Sequence, residues 1–547
     1  MTQFRDVATA ALDSYLAADP VSATYLGDHR HDGELPDPSS SGAARRAKQL
    51  REHVAALADS ATSDQAEAID AEVLGTVLRA ELFELEELRE GEWNPMLYNP
   101  GGGLHALLTR NFAPLPERLI SLGARLSVVA DYLAAARERL DEMSGIHLDT
   151  ALRQLDGTLS LLDDTVPAAL ADAPQLRDRL QPEVQAARNA VAEHRAWLAA
   201  RSDDTGRDPR IGGRLFAGKL ALTLDTDFDP AALLARAEAE LAESTQLIVD
   251  EAGRYAGVRQ ADTTTVRAVL DELATEAPTD ETILDLCRDA LADTTRFVRD
   301  RELVTVYDDP IAVVEMPEID RGVSVAYCRP PGPLETAQVA TEFAVSPTPS
   351  DWTAEQQASL YREYNLHMVH NLAVHEAMPG HALQLAHSNR YRASTPVRAV
   401  WWSGPFVEGW AVYSEELMAD HGYRGDVSAK AASALRMQQL KMRLRSTINT
   451  IMDIRFHHDD LDEATAMALM TARGFQEQGE AAGKWRRVQL TATQLCTYYV
   501  GYSEVRDLTG ELARQRPQWT QRQLHDAVLS AGSPPVRHLR TLLLDRA

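Results

Sequence analysis

The chain has 547 residues, of which 44% are hydrophobic and 25% charged, as in ordinary globular proteins. Its formal net charge is −27, because 82 acidic residues outnumber 55 basic ones. This charge argues against a nucleic-acid partner and against an anionic membrane surface.

Cysteine usage and the amino terminus bear on location. The three cysteines, Cys287, Cys328 and Cys496, lie far apart and show no CxxC spacing, which predicts buried thiols in a reducing cytoplasm. The first residues carry charge early and lack a long apolar core, so we expect no signal peptide. No run of about 18 apolar residues occurs, so we expect no membrane span.

Residues 1–300 are predicted to be almost wholly helical. Leucine and alanine recur every three or four residues, for example through Leu119–Leu126, and prolines punctuate the pattern. We expect this N-terminal region to form one wall of a deep cleft, with a soft domain boundary near residue 300. Residues 301–547 would form the catalytic region that faces it.

A β-rich segment follows. Short β-branched and aromatic runs alternate with Pro, Gly and Asp turns, which predicts a small sheet directly before the helix that spans about Leu360 to Met378. An edge strand of such a sheet could hold an extended substrate through its main chain. The runs are Val304–Tyr307, Ile311–Glu315, Gly322–Tyr327 and Thr341–Val345.

The heptapeptide HEAMPGH, residues 375–381, is the most informative feature of the chain. It carries two imidazoles, on His375 and His381, and the carboxylate of Glu376 beside the first; Glu408 follows in a later helical pattern. Zinc binds two imidazoles and one carboxylate and keeps an open position for water. Glu376 could accept the proton of that water as it attacks a carbonyl. The pattern predicts a zinc site with His375, His381 and Glu408 as ligands and Glu376 as general base.

The spacing of the two histidines is unusual. Zincins place them at i and i+4, but here Pro379 stands at i+4 and His381 at i+6. On a continuous helix the two rings would point about 120° apart. Pro379 clashes with the carbonyl of His375, and Gly380 permits backbone angles that strain other residues, so a break here could bring His381 to the metal. Without the Glu408 helix, a lone HE-x₄-H would be read as a chance match.

Glu415 lies two turns after Glu408 on roughly the same helix face. It is a candidate to hold a ligand imidazole by a hydrogen bond, or to be the ligand itself. Alternatively, both glutamates are solvated on a surface helix, although the aromatic residues around them argue against simple exposure.

Further side chains could stabilise the oxyanion of an attacked amide or bind the substrate. His457 shares a helix face with Asp453 at i+4 and could hydrogen-bond the oxyanion, or the two could form a plain helix pair. The phenol of Tyr498 could also donate to the oxyanion, or be a core tyrosine. Four arginines are candidates to bind a substrate carboxylate: Arg443, Arg445, Arg455 and Arg487.

Several stretches together carry a family resemblance. The chain resembles the bacterial family called "domain of unknown function 885", which is itself similar to Glu-zincin peptidases such as the thermolysin-like and carboxypeptidase Taq-like enzymes. The similar stretches are Asp19–Arg30, Val314–Pro317, Ala326–Pro331, His375–Gln384, Glu408–Glu415, Asp453 with His457, and Gln494 with Tyr498 and Gly501.

The resemblance implies zinc at the three predicted ligands, Glu376 as base, and roles at the oxyanion for Tyr498 and His457. It also implies a mainly α fold, a large metallopeptidase-like helical body with a deep cleft and a small β-sheet before the metal-binding helix. Many relatives carry a His at Ala382, a Gly at Arg455 and Pro-Gly at 492–493. These departures put the specificity in doubt, although the presumed ligands and base are kept.

We therefore expect a cytoplasmic zinc hydrolase that cleaves an amide bond in a small peptide or peptide-like conjugate, as a carboxypeptidase or dipeptidase does. Two alternatives stay open. One is a metalloenzyme of small-molecule metabolism that uses the same site on another bond or with another metal. The other is a metal-free pseudoenzyme or binding protein. The sequence leaves open which roles Glu415, Asp453 and Arg487 play.

Overall fold

The computed structural model describes residues 2–202, 206–226, 228–317, 325–349 and 352–544. Contacts between Cα atoms divide the chain into two compact units. The predicted division into 1–300 and 301–547, and the deep cleft between those regions, stay predictions. The first unit comprises Met1–Ile211, Pro331–Val339 and Arg392–Val400, and the second comprises Gly212–Pro330, Ala340–Tyr391 and Trp401–Ala547.

The first unit is built from helices. Two short strands, β1 (Thr2–Gln3) and β2 (Ser60–Ala61), pair in parallel near its start. The helices are α1 (Phe4–Ala18), α2 (Pro20–Leu26), α3 (Ser40–Ala58), α4 (Gln65–Phe83), α5 (Gly101–Thr109), α6 (Leu115–Ser127), α7 (Val129–Arg139), α8 (Gly145–Ser160), α9 (Val166–Ala171) and α10 (Arg177–Ala199). Single 3₁₀ or π turns lie at His29–His31, Glu84–Leu88, Glu90–Glu92, Pro95–Tyr98, Leu161–Thr165 and Pro174–Leu176.

One apolar core joins α5 to α10, as the leucine and alanine spacing predicts. Leu122 and Val191, for example, are fully buried in it. Two later segments of the chain return to this unit. The main chain of Leu334 donates to the carbonyl of Leu26 at 2.9 Å, and Arg398 forms a buried ion pair with Asp70.

The second unit holds the remaining helices, apart from α18, which belongs to the first. Helix α18 is Val397–Val400. The helices of the second unit are α11 (Gly213–Leu224), α12 (Pro230–Ala256), α13 (Thr263–Leu273), α14 (Ile283–Asp300), α15 (Ala354–Glu363), α16 (Leu366–Glu376), α17 (His381–Ser388), α19 (Gly404–Asp420), α20 (Ala429–His458), α21 (Glu463–Ala468), α22 (Gln478–Leu490), α23 (Cys496–Gln515), α24 (Gln521–Leu529) and α25 (Val536–Leu543). A π turn spans Leu469–Arg473.

The predicted small sheet before the metal-binding helix is present. Strand β5 (Thr341–Val345) is central, β3 (Ile311–Glu315) pairs with it in parallel, and β4 (Ala326–Arg329) pairs with it in antiparallel. The mainly α class with a small mixed sheet is thus confirmed. Part of the predicted run Gly322–Tyr327, residues 322–324, lies outside the described residues.

The run Val304–Tyr307 is not a strand, contrary to the sequence prediction. Its Thr305 N–H donates to the carboxylate of Asp526 at 2.8 Å, and the Thr305 carbonyl lies 2.8 Å from Nε2 of His387. Side chains therefore satisfy the main-chain groups that a neighbouring strand would otherwise pair.

Helices α19 and α23 cross in very close contact, and two glycines make this possible. A Cβ on Gly501 would lie 1.8 Å from the carbonyl oxygen of Pro405, and one on Gly409 would lie 2.2 Å from the carbonyl carbon of Gly501. Any side chain at either position would push the helices apart. The crossing brings Glu408, next to Gly409, and Tyr498, one turn before Gly501, to the same helix pair.

No single helix in the described part of the chain is long and apolar enough to cross a membrane. The bent pair α6 and α7, with 42° between the two helices, passes the test of length and composition. Leucines of both helices, including Leu122 and Leu133, lie in the buried core of the first unit.

Replacement of Gly501 by Ala is expected to lower the free energy of unfolding by about 3 kcal/mol or more, because the new methyl group would overlap a main-chain carbonyl. Urea denaturation measures the effect. Gly483→Ala is the matched control, since nothing lies within 4 Å of its Cβ position on α22 and alanine favours a helix by about 0.5–1 kcal/mol. Equal stabilities for the two variants would contradict the close crossing.

Candidate metal centre

The helix that carries His375 breaks at the predicted proline–glycine step. Helix α16 ends at Glu376 and α17 begins at His381. The peptide bond between Met378 and Pro379 is cis. Gly380 donates its N–H to the carbonyl of Val374 at 2.9 Å, and a Cβ on it would lie 1.9 Å from the carbonyl oxygen of His375. Only glycine fits this return of the chain onto the end of α16.

The break brings together the three predicted ligands. Nε2 of His375 and Nε2 of His381 lie 3.6 Å and 3.5 Å from Oε2 of Glu408, and one ligand atom from each residue lies within 4.8 Å of the others. Four ligands at about 2.1 Å around a tetrahedral ion would be about 3.4 Å apart. The two distances between imidazole and carboxylate therefore match those of a chelate, and the group could hold a metal ion.

The polar atoms of this group also fit a metal ion better than they fit one another. Oε2 of Glu408 is buried and makes no hydrogen bond of good geometry, although two imidazoles face it. Burial disfavours the ionised carboxyl, but the two imidazoles more than offset burial and hold the pKa of Glu408 well below its usual range. Two nitrogens and one carboxylate oxygen are a donor set that zinc accepts.

Glu415 holds the ring of His375 rather than adding a ligand. Nδ1 of His375 donates to Oε1 of Glu415 at 2.8 Å, and Oε2 of Glu415 accepts from Nδ2 of Asn371 at 2.7 Å. In a neutral ring, this Nδ1 hydrogen would leave the lone pair of Nε2 free for a metal ion beside Glu408. Asn371 was missed by the sequence reasoning, although its position one turn before His375 on α16 is a usable signal.

Trp410 ties α19 to the break and was also missed. Its indole is fully buried, and Nε1 donates to the carbonyl of Pro379 at 2.8 Å. Helix α19 thus contributes three groups that shape the centre: Glu408 against both imidazoles, Trp410 against the break, and Glu415 against His375.

Glu376 lies at the end of α16, beside the edge strand β4. Its side chain is 8% exposed. Burial raises the pKa of its carboxyl and the charge of Glu408 adds to this, while the two imidazoles and the main chain of Cys328 act in the opposite direction. A carboxyl group in this position, next to a candidate metal centre, is placed to take up a proton from a water molecule.

Tyr498 lies on α23, where its hydroxyl accepts hydrogen bonds from Nη2 of Arg487 and Nε2 of Gln494, both at 3.3 Å. Burial and the charge of Glu408 raise its pKa, so the phenol stays protonated and can donate. The proposed role of Tyr498 at the oxyanion remains a prediction.

His457 and Asp453 make other contacts. Nε2 of His457 donates to the carbonyl of Thr491 at 2.9 Å, and its ring stacks on Phe216. This hydrogen is committed to the main chain, and a catalytic role for His457 remains a prediction. Asp453 is fully buried and accepts from the N–H of Thr493 at 3.2 Å, just before α23 begins. It therefore holds the start of the helix that carries Tyr498.

The fold and the site define a mainly α protein with a candidate His-His-Glu metal centre. The chain belongs to a bacterial family of proteins of unknown function, DUF885, whose model matches residues 20–543. No curated protein matches the sequence. The family that the sequence resemblance predicted is therefore confirmed.

Two solved structures are similar over 100% of both chains, each with a TM-score of 0.81. One, from Shewanella oneidensis, is 29% identical and is described as a "putative lipoprotein of unknown function". The other, from Colwellia psychrerythraea, is 15% identical, shows the fold alone and is described as a "putative lipoprotein".

The predicted cytoplasmic location is wrong on this finding, because the similar structure from Shewanella oneidensis is described as a putative lipoprotein and lipoproteins are proteins of the cell envelope. The prediction relied on three scattered cysteines. A fold with enough apolar core needs no disulfides in either compartment, so cysteine usage does not decide the location of a chain of this size.

Replacement of Glu415 by Gln is expected to weaken metal binding by about 10- to 100-fold, because the ring of His375 loses its charged acceptor. Competition with a chromogenic chelator measures the affinity. Asp420→Asn, at the exposed end of the same helix, is the control and should leave the affinity unchanged. Unaltered affinity in Glu415→Gln would contradict the positioning role.

Asp453 is expected to make the protein less stable as the pH rises. Burial raises its pKa to about 7 from 3.8, so the folded state binds this proton more tightly than the unfolded chain does. Its contribution is therefore fully favourable below about pH 4 and is lost as the pH rises through about 7. Asp453→Asn should raise the urea midpoint at pH 8 and leave it nearly unchanged at pH 4.

Asp462→Asn is the matched control for charge removal. Asp462 is an exposed N-cap that accepts from Thr465 at 2.7 Å, and its pKa is lowered by that hydrogen bond. Its replacement should cause no gain at pH 8 and a small loss instead. A gain of similar size in both variants would show general relief of the negative net charge rather than a property of Asp453.

Proposed function

We propose that the protein is a zinc-dependent hydrolase that cleaves an amide bond in a small peptide or peptide-like conjugate, in the manner of a carboxypeptidase or dipeptidase. The observation that carries this proposal is the group formed by His375, His381 and Glu408, with Glu376 directly beside the first ligand. Zinc, when bound there, supplies a Lewis acid that acidifies water and polarises a carbonyl.

The protein's own side chains would divide the remaining work. Glu376 takes the proton of the attacking water and passes it to the leaving amine, which its raised pKa favours. Tyr498 donates its hydroxyl hydrogen to the oxyanion, because burial keeps the phenol protonated. Glu415 keeps the ring of His375 in one tautomer throughout.

The sheet supports an extended substrate. Strand β4 is an edge strand of the sheet. The main chain of its residue Cys328 acts on the carboxyl group of Glu376 in the direction that lowers its pKa. An extended peptide that lies along this edge would run past the carboxyl group that acts as base. The motifs by which the sequence resembles Glu-zincin peptidases support the same reaction. The similar structure from Shewanella oneidensis, described as a putative lipoprotein, supports a cell-envelope location.

Glu376→Gln is expected to keep about one zinc ion per chain and to abolish hydrolysis of short peptides, because the amide cannot take up a proton from water. Elemental analysis measures the metal, and a panel of dipeptides and terminally blocked peptides measures turnover. Glu355→Gln, on the exposed start of α15, is the control and should leave both unchanged.

His375→Ala completes the set, since it should lose the metal as well as the activity. Undiminished turnover in Glu376→Gln would refute its role as base. If the zinc-loaded wild-type protein hydrolyses non-peptide amides and none of the peptides, the proposed substrate class is wrong and non-peptide amides take its place.

A further inference from the structure

Three of the four arginines that the sequence singled out are neutralised by carboxylates, and Arg487 is not. Arg487 donates to Oε1 of Gln494 at 2.9 Å and contacts the hydroxyl of Tyr498 at 3.3 Å, and both partners are neutral. In the described ranges no carboxylate lies within ion-pairing distance of it. The pairs of the other three are Arg443–Glu240, Arg445–Glu480 and Arg455–Glu238.

A second cation lies on the same face of α22. Lys484 precedes Arg487 by three residues and is 7% exposed. Its Nζ is 3.9 Å from Oε1 of Glu480, beyond hydrogen-bonding distance, and Glu480 is already engaged by Arg445 and by the hydroxyl of Tyr364. Glu480 therefore faces two cations, Arg445 and Lys484, and Arg487 adds a third positive charge nearby on the same helix.

This positive surface lies near the metal centre. Arg487 reaches the hydroxyl of Tyr498, and the charge of Glu408 acts on both Arg487 and Lys484. Burial and the neighbouring arginines lower the pKa of Lys484 well below its usual value. Cations that are crowded and poorly hydrated gain much from an anion that pairs with them.

We infer that Arg487 and Lys484 form an anion subsite beside the metal centre, which takes a free carboxylate of the substrate. The guanidinium of Arg487 offers a planar pair of donors to the carboxylate, and Lys484 adds a point charge. The inference rests on the proposed function and narrows its substrates to peptides or conjugates with a free carboxylate a few bonds from the scissile amide. A peptide held there by its C-terminal carboxylate would lose its C-terminal residue.

Matched metal-directed probes test the subsite without any turnover. The monohydroxamates of malonic, succinic and glutaric acid carry a metal-binding group and a carboxylate at three spacings, and their carboxamide analogues differ only in that charge. Calorimetry on zinc-loaded wild-type protein should show that the best carboxylate probe binds at least about tenfold more tightly than its carboxamide.

The variants assign that preference to residues. Arg487→Met should bring the ratio close to one while the affinity for the carboxamide is kept, Arg487→Lys should retain part of the ratio, and Lys484→Met should lower it severalfold. Arg455→Met, which removes an arginine already paired with Glu238, is the control and should leave the ratio unchanged.

Each contrary result has a separate meaning. Equal affinities for both probes in the wild type at all three spacings would overturn the subsite, and this needs no variant. A ratio kept in Arg487→Met, or an equal loss of both probes, would also overturn it, since the latter would show that Arg487 only positions Tyr498. If neither probe binds and no zinc is retained, the proposed metal centre itself is refuted, and the subsite with it.

Discussion

The break between α16 and α17 is the constraint on which the rest of the site depends. Six residues separate His375 from His381, and a continuous helix would turn their rings about 120° apart. The chain instead returns onto the end of α16, so close to the carbonyl of His375 that Gly380 cannot carry a Cβ. Trp410 holds the break from the other side through the Pro379 carbonyl. Both imidazoles consequently meet one carboxylate.

Burial of the polar groups of this centre is destabilising, and hydrogen bonds offset part of that effect. Polar groups removed from water are destabilising unless they find partners. Nδ1 of His375 finds a partner in Glu415, which also accepts from Nδ2 of Asn371, each at less than 3 Å. Glu408 differs, because its Oε2 faces two imidazoles without a hydrogen bond of good geometry. Oε2 of Glu408 is therefore an incompletely satisfied acceptor at the place where a cation would bind.

Local patterns were sufficient to predict the mainly α class, the small sheet and the three residues of the metal group, because helical periodicity and ligand spacing are short-range properties. These local patterns did not decide whether Glu415 is a ligand or holds a ligand imidazole. Residues seven apart share a helix face, so the sequence offers Glu408 and Glu415 equally. The contact between Gly409 and Gly501 joins positions 92 residues apart and leaves no local signal. The strand predicted at Val304 failed because side chains elsewhere satisfy its main chain.

The imidazole of His375 explains why helix α19 can supply both a candidate ligand, Glu408, and the residue that orients His375, Glu415. The two nitrogens of His375 face opposite ways, Nε2 toward Glu408 and Nδ1 toward Glu415, so the imidazole fills the two-turn interval between these glutamates on α19. Any shift of α19 along its axis would disturb both contacts together. The glycine crossing with α23 opposes such a shift, and the same crossing sets the place of Tyr498. The geometry of the centre is thus a consequence of how three helices pack, rather than of the heptapeptide alone.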